Sequence, residues 1–281
     1  MISIYDWFGY EIPIEKRYKL IKAAGFDGVL LWWSDGFGRG QDYRDGANYA
    51  RNAGLIIENI HTPEQEQNNL SLDNLDGESL FKCYLQCIKD CAEIDIPTMV
   101  VHLPDDKYPI NELGIDRIKK IAQKAEELNI NVAMENVRNI QNVTCVLDLI
   151  DSKKIGFCYD SCHHANYDNE RDLISKYGSR LMAIHLHDNG GVRGQHQLPF
   201  DGNINWATVM KKISEAGNKG ATALEPMNWE YEMESIESYL IPSVMYTIGI
   251  DGFKFIAISN QISAISSMME VIQNTWAVVP M

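Results

Sequence analysis

The stretch AGFDGVLLWW, residues 24–33, decides the fold. An amphipathic segment reaches Gly25, and an uninterrupted apolar run, GVLLWW, follows at residues 28–33. Glycine often ends a helix because it adopts the left-handed backbone conformation without steric cost. A short apolar run rich in β-branched and aromatic residues is typical of a buried strand. The stretch therefore predicts a helix, a glycine turn and then a buried strand.

The same unit recurs from one end of the chain to the other. Amphipathic helical patterns separate eight apolar runs, at residues 2–7, 28–33, 55–61, 98–104, 130–137, 155–161, 181–188 and 221–227. Strict alternation of strand and helix predicts a parallel sheet, and eight repeats favour a closed (β/α)₈ TIM barrel over a doubly wound open sheet. We expect an α/β protein in which residues 1–281 form a single TIM-barrel domain.

The C-terminal segment departs from this pattern. Residues 233–240 predict the eighth helix, and residues 241–281 then carry few charged side chains, namely Asp251, Lys254 and Glu270. Such a segment is too apolar to be a solvated tail. We expect residues 241–281 to be an apolar extension that either packs over the N-terminal face of the barrel or forms a contact within a homo-oligomer.

The composition limits the possible partners and the location. Hydrophobic residues make up 45% of the chain and charged residues 23%, as in ordinary globular proteins. With 25 basic and 39 acidic residues the net charge is −14, which disfavours a nucleic-acid partner. The N-terminus has no signal-peptide pattern, and the chain has no long uncharged apolar run. We expect a cytoplasmic protein without a membrane span.

Three of the six cysteines recur at the spacing of one helix face. Cys83, Cys87 and Cys91 are four residues apart in a predicted helix. Buried reduced thiols explain this stripe better than a zinc site does.

The histidines gather near the predicted strand ends. All seven lie at or just beyond the ends of strands three, four, six and seven: His61, His102, His163, His164, His185, His187 and His196. Single acidic residues end strands five, six and eight: Glu135, Asp160 and Glu225. In a TIM barrel these strand ends open on one face, where active sites lie. Histidines with only structural roles have no reason to avoid the helices and strand starts.

The acidic residues indicate what this cluster binds. Glu135 and Glu225 lie within apolar segments, and a buried carboxylate without a partner costs several kcal/mol. A cation is the simplest partner, so the cluster predicts a metal site. Carboxylate and imidazole ligands suit Mn²⁺, Mg²⁺, Co²⁺ or Zn²⁺. We further expect His187 or Asp188 to hold the ring N–H of a ligating histidine.

Seven short motifs, in order along the chain, carry a resemblance to a known family. They are AGFDGV, VVHLP, AMENV, CYDSCHH, IHLHDNGG, HQLPFDGNINW and ALEPM, within residues 24–227. Over roughly residues 1 to 240 the sequence resembles the xylose isomerase-like TIM barrel superfamily. That group includes sugar and sugar-phosphate isomerases and epimerases, inosose dehydratases, and abasic-site nucleases of the endonuclease IV type.

The resemblance to the epimerase-like members implies a set of roles. One divalent ion is held by Glu135, Asp160, His185 and Glu225, and the two glutamates also act as catalytic acid and base. The substrate side is lined by His61, His102, His163, Arg193 and His196. Such chemistry removes a proton next to a carbonyl, and the ion stabilises the resulting enediolate. We therefore expect a metal-dependent isomerase or epimerase of a sugar, sugar phosphate or polyol derivative.

Two other functions stay open. Nuclease-type members use three zinc ions. His61 and His102 match ligands that share Glu135 with the first ion, and His163 and His196 match ligands of the third ion. Gly194 stands where those members have an aspartate, so this third site is one ligand short. A multi-zinc phosphoester hydrolase is the alternative. A non-catalytic binding protein is disfavoured because all four primary ligands are present.

Overall fold

The computed structural model describes residues 1–34, 43–105, 107–231 and 235–259. In that part of the chain, strands and helices alternate as predicted. The strands are β1 Ile2–Tyr5, β2 Gly28–Trp32, β3 Ile56–His61, β4 Thr98–Val101, β5 Asn131–Glu135, β6 Ile155–Asp160, β7 Leu181–His185 and β8 Thr222–Leu224. The helices are α1 Ile14–Ala24, α2 Asp45–Asn52, α3 Leu75–Glu93, α4 Glu112–Leu128, α5 Ile140–Leu149, α6 Ser161–Tyr167, α7 Leu173–Tyr177, α8 Trp206–Glu215 and α9 Ile236–Ser259.

The eight strands form one parallel sheet that closes on itself. Their order follows the chain from β1 to β7, and β8 pairs with β1. Between β7 and β8 the closure consists of a parallel bridge from Leu186 to Leu224. Two backbone hydrogen bonds support this bridge, from Leu186 N to Ala223 O (2.9 Å) and from Glu225 N to Leu186 O (3.0 Å). The predicted TIM barrel is confirmed.

The first βα unit shows how the sequence builds the barrel. Gly25 ends α1 with φ of 112°, and its N–H reaches the carbonyl oxygens of Ile21 and Lys22. This positive φ is the conformation that favours glycine. Every residue of β2 is buried, as the apolar run predicts.

Small side chains fill the barrel interior next to the C-terminal residues of β4 to β7. Val100, Ala133, Cys158 and Ala183 form a cluster of their own, on four consecutive strands from β4 to β7. Small residues here leave room above them for polar side chains at the C-terminal ends of the same strands.

The last helix is longer than predicted. We expected it to end near Leu240, but α9 continues through Pro242 to Ser259 and packs against α1 and α8 on the outside of the barrel. Proline removes one backbone donor, and burial of apolar side chains such as Leu240 and Ile250 helps the helix to tolerate the loss. Residues 241–259 of the expected apolar extension thus belong to the last helix, and residues 260–281 lie outside the described residues.

Two further expectations concern the helices. Cys87 and Cys91 of α3 are buried, and all six cysteines are free thiols, which confirms the buried, reduced stripe. Among the helices described, none is both long and apolar enough to cross a membrane.

Candidate active site

Four side chains from the last four strands meet at the C-terminal mouth of the barrel. Glu135, Asp160 and His185 are the last residues of β5, β6 and β7, and Glu225 directly follows β8. Each offers one ligand atom, and the four atoms all lie within 4.8 Å of one another. All four residues are buried, with Glu225 the most exposed at 6%. The structure thus brings together the four predicted metal-site residues.

The geometry of this quartet fits a divalent ion. The Nδ1 atom of His185 lies 3.1 Å from Oε2 of Glu135 and 2.9 Å from Oε2 of Glu225. Oε2 of Glu135 and both ring nitrogens of His185 are nonetheless buried without a hydrogen bond in the part of the chain described. Ligand atoms around an ion bonded at about 2.0–2.2 Å lie roughly 3 Å apart. Oxygen and imidazole donors at these distances suit the predicted divalent ions.

The site needs positive charge. Burial alone would raise the pKa of Glu135, but the charges of His102 and His185 outweigh it and hold that pKa well below its ordinary value. Burial alone would lower the pKa of His61, but Glu135 and Glu64 outweigh it and raise that pKa to about 9. The pKa of His163 also rises to about 9, against burial, because of Asp160 and Glu135. Without an ion, imidazole protons balance the buried carboxylates.

This balance makes metal affinity depend on pH. An ion entering the quartet displaces or repels protons on histidines whose pKa values are raised, so binding is weakened wherever those protons are held. We expect the apparent affinity for Mn²⁺ to rise steadily from about pH 6 to about pH 8.5, by up to about tenfold per pH unit for each proton released. Calorimetric titrations in buffers of different ionisation enthalpy measure both the affinity and the protons released.

The matched control for this titration is His164→Ala. His164 lies on α6 outside the quartet, where its ring bonds the Tyr159 hydroxyl and the Arg171 carbonyl oxygen. The control variant should keep the same pH slope. An affinity for Mn²⁺ that does not vary with pH would contradict the prediction.

Asp160 joins the quartet to its surroundings. Its Oδ1 atom accepts a hydrogen bond from the backbone N–H of His163 (2.6 Å) and so caps α6. This cap places Nδ1 of His163 3.1 Å from Oε1 of Glu135. Nε2 of His187 lies 2.7 Å from Oδ2 of Asp160. We expected His187 or Asp188 to hold a ligating histidine, but His187 instead holds the carboxylate of Asp160.

A second polar group adjoins the quartet on the side of β3 and β4. Nε2 of His61 and Nε2 of His102 lie 3.2 Å apart, and Oε2 of Glu135 lies 3.5 Å from the first and 3.2 Å from the second. Nδ1 of His61 bonds the Thr62 carbonyl oxygen, and Nδ1 of His102 bonds Oε1 of Gln67. Since both acceptors take the Nδ1 proton, two neutral rings would direct their Nε2 lone pairs at each other, and the raised pKa of His61 favours a proton on its Nε2. These three residues form another possible metal-binding group.

An inner cavity of about 160 Å³ lies beside the quartet. Its polar wall includes His61, His102, Glu135, His163, His196 and Glu225. Its apolar wall comes from β1, β2 and the segment after β8, and consists of Tyr5, Trp7, Trp32, Met227 and Trp229. The volume is close to that of one monosaccharide. The cavity is therefore polar on one side and aromatic on the other.

A wider outer cavity of about 460 Å³ opens beyond the inner one. The two share Glu64, His102, His163, His196 and Trp229 as lining residues. Arg193 is exposed and lines only the outer cavity, so it lies farther from the quartet than the predicted substrate-side histidines.

The sequence and the fold of this chain are similar to those of known proteins. A family profile described as xylose isomerase-like TIM barrel matches residues 18–239. The chain belongs to that family. Crystal structures similar to this xylose isomerase-like barrel include a D-tagatose 3-epimerase-like protein, with TM-score 0.71 and 19% identity over 92% of this chain and 98% of that one. Another is D-psicose 3-epimerase from Clostridium cellulolyticum, with TM-score 0.72 and 14% identity over 89% and 98%. At these identities the likeness concerns the fold alone.

Two curated relatives show how far the sequence similarity extends. An uncharacterized protein, y4fM of Sinorhizobium fredii, is 30% identical over 277 aligned residues, covering 83% of this chain and 87% of the relative. A protein named probable endonuclease 4 from Mycoplasma capricolum is 25% identical over 158 residues, covering 49% of this chain and 55% of the relative.

Trp229 shapes this xylose isomerase-like site and was not predicted from the sequence. Trp229 is 59% exposed, lines both cavities and contacts the ring of His196 at 5.3 Å. Trp7 and Trp32 also line the inner cavity, whereas Trp33 is fully buried with its indole N–H bonded to Asp90. The position of Trp229, four residues after Glu225 at a strand end, was the available signal.

Asp188, which we expected to hold a ligating histidine, instead anchors the loop between β7 and α8. Its buried carboxylate accepts hydrogen bonds from the backbone N–H groups of Asn189, Phe200 and Ile204 and from the indole of Trp206, at 2.7–3.0 Å. A Cβ atom on Gly202 would lie 2.3 Å from Oδ1 of Asp188, so only glycine allows the chain to pass so close. Asp188 therefore determines the path of the loop that carries His196.

Proposed function

We propose that this chain is a divalent-metal-dependent isomerase or epimerase of a sugar or sugar derivative. The observation that carries the proposal is the pair of buried carboxylates, Glu135 and Glu225, on either side of Nδ1 of His185 at a cavity of monosaccharide size. Two carboxylates from different strands suit a reaction in which one removes a proton and the other returns it. The epimerases of similar fold support the same reaction class.

The four residues of the quartet would hold the ion. When bound, a divalent ion supplies Lewis-acid stabilisation of the negative charge that develops on the substrate oxygens. The pKa of Glu135 is lowered for the reason given above. The pKa of Glu225 is also lowered, because the charge of His185 outweighs the effect of burial. Both carboxylates are therefore ionised and can accept a proton. One glutamate removes the proton next to the carbonyl. The other first takes up a proton from solvent and then delivers it to the same carbon from the opposite side.

The remaining polar residues of the inner cavity orient the substrate. His61, His102, His163 and His196 present ring nitrogens to it, and hydroxyl groups of a sugar are suitable partners for them. The pKa of His196 falls to about 4, because of burial and then the charge of His187, so this ring is neutral at physiological pH. Nδ1 of His196 donates to the Glu225 carbonyl oxygen (3.2 Å), so Nε2 is the atom that can accept a hydrogen bond from a sugar hydroxyl.

A second candidate function rests on the His61–His102 pair. Two imidazole lone pairs that face each other at 3.2 Å beside a carboxylate repel unless a proton or an ion lies between them. A second ion at this place, sharing Glu135, would suit a hydrolase of small phosphoesters. The partial similarity to a probable endonuclease 4 agrees with this alternative, whereas the net charge of −14 opposes a nucleic-acid substrate.

Metal stoichiometry decides between the two candidates. The protein is purified without chelator, re-equilibrated with Mn²⁺ or Zn²⁺, and analysed for bound metal in its wild-type, His102→Ala and control His164→Ala forms. For the isomerase we expect one ion per chain in all three. Incubation with ketoses in D₂O should then place deuterium on the carbon next to the carbonyl.

The hydrolase predicts a different pattern. Two or more zinc ions per chain, part of which is lost in His102→Ala but not in His164→Ala, together with phosphoester cleavage and no deuterium exchange, would overturn the proposed isomerase.

A further inference from the structure

We propose that the outer cavity binds an anionic group of the substrate, a phosphate or a carboxylate, through Arg138 and Arg193 beside Tyr167. This inference rests on the proposed function and narrows its substrate class to acidic sugar derivatives. The juxtaposition of two guanidinium groups at one ring, in a cavity that continues from the candidate catalytic centre, carries it.

The two arginines meet at a single aromatic side chain. Cζ of Arg138 lies 5.9 Å from the ring centre of Tyr167, and Cζ of Arg193 lies 5.8 Å from the same point. Both arginines and Tyr167 line the outer cavity. Arginine remains charged at all physiological pH values, and its planar group pairs with carboxylate and phosphate oxygens. An anion in this cavity therefore experiences the field of both guanidinium groups.

The loop that presents Arg193 is held in shape from within. The side chain of buried Asn189 accepts from Gly191 N (2.6 Å) and donates to the Val192 carbonyl oxygen (2.6 Å). Oε1 of Gln195 accepts from the backbone N–H groups of Gly190 (2.8 Å) and Val192 (3.1 Å). An exposed arginine on a loop so constrained loses less freedom when it binds a ligand than one on an unrestrained loop.

The second arginine is placed by the strand that carries Glu135. Arg138 follows Glu135 by three residues, and its Nη1 atom lies 3.3 Å from Oδ2 of Asp105. This ion pair orients Arg138 and offsets one positive charge. In the described part of the chain Arg193 has no carboxylate within 4.0 Å, so its charge is not offset in that way. The other acidic residue that lines the outer cavity, Glu64, lies 3.8 Å from Nδ1 of His102. Within the described lining Arg193 thus keeps a positive charge that no carboxylate balances, in a chain whose net charge is −14.

The size and position of the cavities fit a substrate of two parts. The inner cavity accommodates about one sugar, and the outer cavity shares His102, His163, His196 and Trp229 with it. A sugar with its carbonyl end at the quartet thus has room to extend its far end toward the arginines. A phosphate or a carboxylate at that end would lie near Arg138 and Arg193.

Three ketoses with one carbon skeleton test the inference. D-fructose, D-fructose 6-phosphate and D-fructuronate differ at carbon 6, which is neutral, phosphorylated or a carboxylate. Calorimetry measures their affinity for Mg²⁺-loaded wild-type protein and for Arg138→Gln, Arg193→Gln and Lys119→Gln. The last is a charge-matched control, because Lys119 is exposed on the outer helix α4.

We expect at least one acidic ketose to bind about tenfold or more tightly than D-fructose. Each arginine variant should remove most of that advantage without changing the affinity for D-fructose, and Lys119→Gln should change neither. Preference for the phosphate or for the carboxylate identifies the acidic group. If an acidic ketose binds more tightly but the arginine variants keep the full advantage, a contact other than the arginines is responsible and the inference is wrong.

The outcomes also separate this inference from the proposed function. Deuterium exchange into a ketose with no preference for the acidic forms rejects the anionic subsite and leaves the isomerase standing. Arginine-dependent binding of the acidic ketoses with no deuterium exchange supports the subsite and rejects the isomerase.

Discussion

Glu135→Gln lowers turnover by about a thousandfold or more while the protein stays folded. The amide is nearly the same size as the carboxylate but cannot accept the substrate proton, and general acid–base catalysis is worth about 10²–10⁴-fold. The change also removes a charged oxygen that lies 3.1 Å from Nδ1 of His185, so metal binding weakens as well. Turnover of a reactive ketose and bound metal per chain are measured on the same sample.

The control for this change is Glu58→Gln. Glu58 is a partly buried strand carboxylate that accepts a hydrogen bond from Ala221 N, and it lines neither cavity. It should keep nearly full turnover. If Glu135→Gln retained wild-type turnover at saturating metal, Glu135 would not be the catalytic acid or base.

Asp188→Asn has the largest effect that we expect on stability. The amide offers one oxygen and one NH₂ group where the carboxylate offered two acceptor oxygens, so about half of the four bound N–H groups lose their acceptor. Each buried donor left without a partner costs about 1–3 kcal/mol. We expect the free energy of unfolding to fall by roughly 3 kcal/mol, measured by urea denaturation.

Asp201→Asn is the matched comparison in the same loop. Asp201 is exposed and accepts hydrogen bonds from the hydroxyls of Tyr231 (2.7 Å) and Tyr246. Its substitution should cost less than about 1 kcal/mol. Equal losses for the two variants would mean that Asp188 does not anchor the loop in the way that its hydrogen bonds indicate.

The periodicity of the sequence was enough to predict the barrel. Helical patterns alternate with eight apolar runs along the chain, as in the unit around Gly25, and a closed parallel sheet follows from that alternation. The quartet was predictable for a related reason, since parallel strands bring their C-terminal ends to one face whatever the details of the loops. Glu135, Asp160 and His185 each end a strand in the structure.

The loops were less predictable because their shape depends on tertiary contacts. Asp188 follows His187 in a motif that looks like a ligand sequence, yet its carboxylate turns away to hold Phe200, Ile204 and Trp206. The short helix α6 was likewise not expected, although Asp160 caps it. The place of a residue at a strand end can be predicted from its near neighbours in the sequence. The hydrogen-bond partners of the Asp188 side chain, in contrast, lie 12 to 18 residues away.

The two unlike walls of the inner cavity have a consequence for stereochemistry. Aromatic residues from β1, β2 and the segment after β8 occupy one side, and the histidines and glutamates occupy the other. A pyranose or an open-chain ketose presents C–H groups on one face and hydroxyl groups on its edge, so it lies stably in one orientation only. A mirror-image sugar placed with its carbonyl in the same position directs hydroxyl groups at Trp7 and Trp32. For the proposed isomerase we therefore expect that one enantiomer of a sugar reacts and that the other is left untouched.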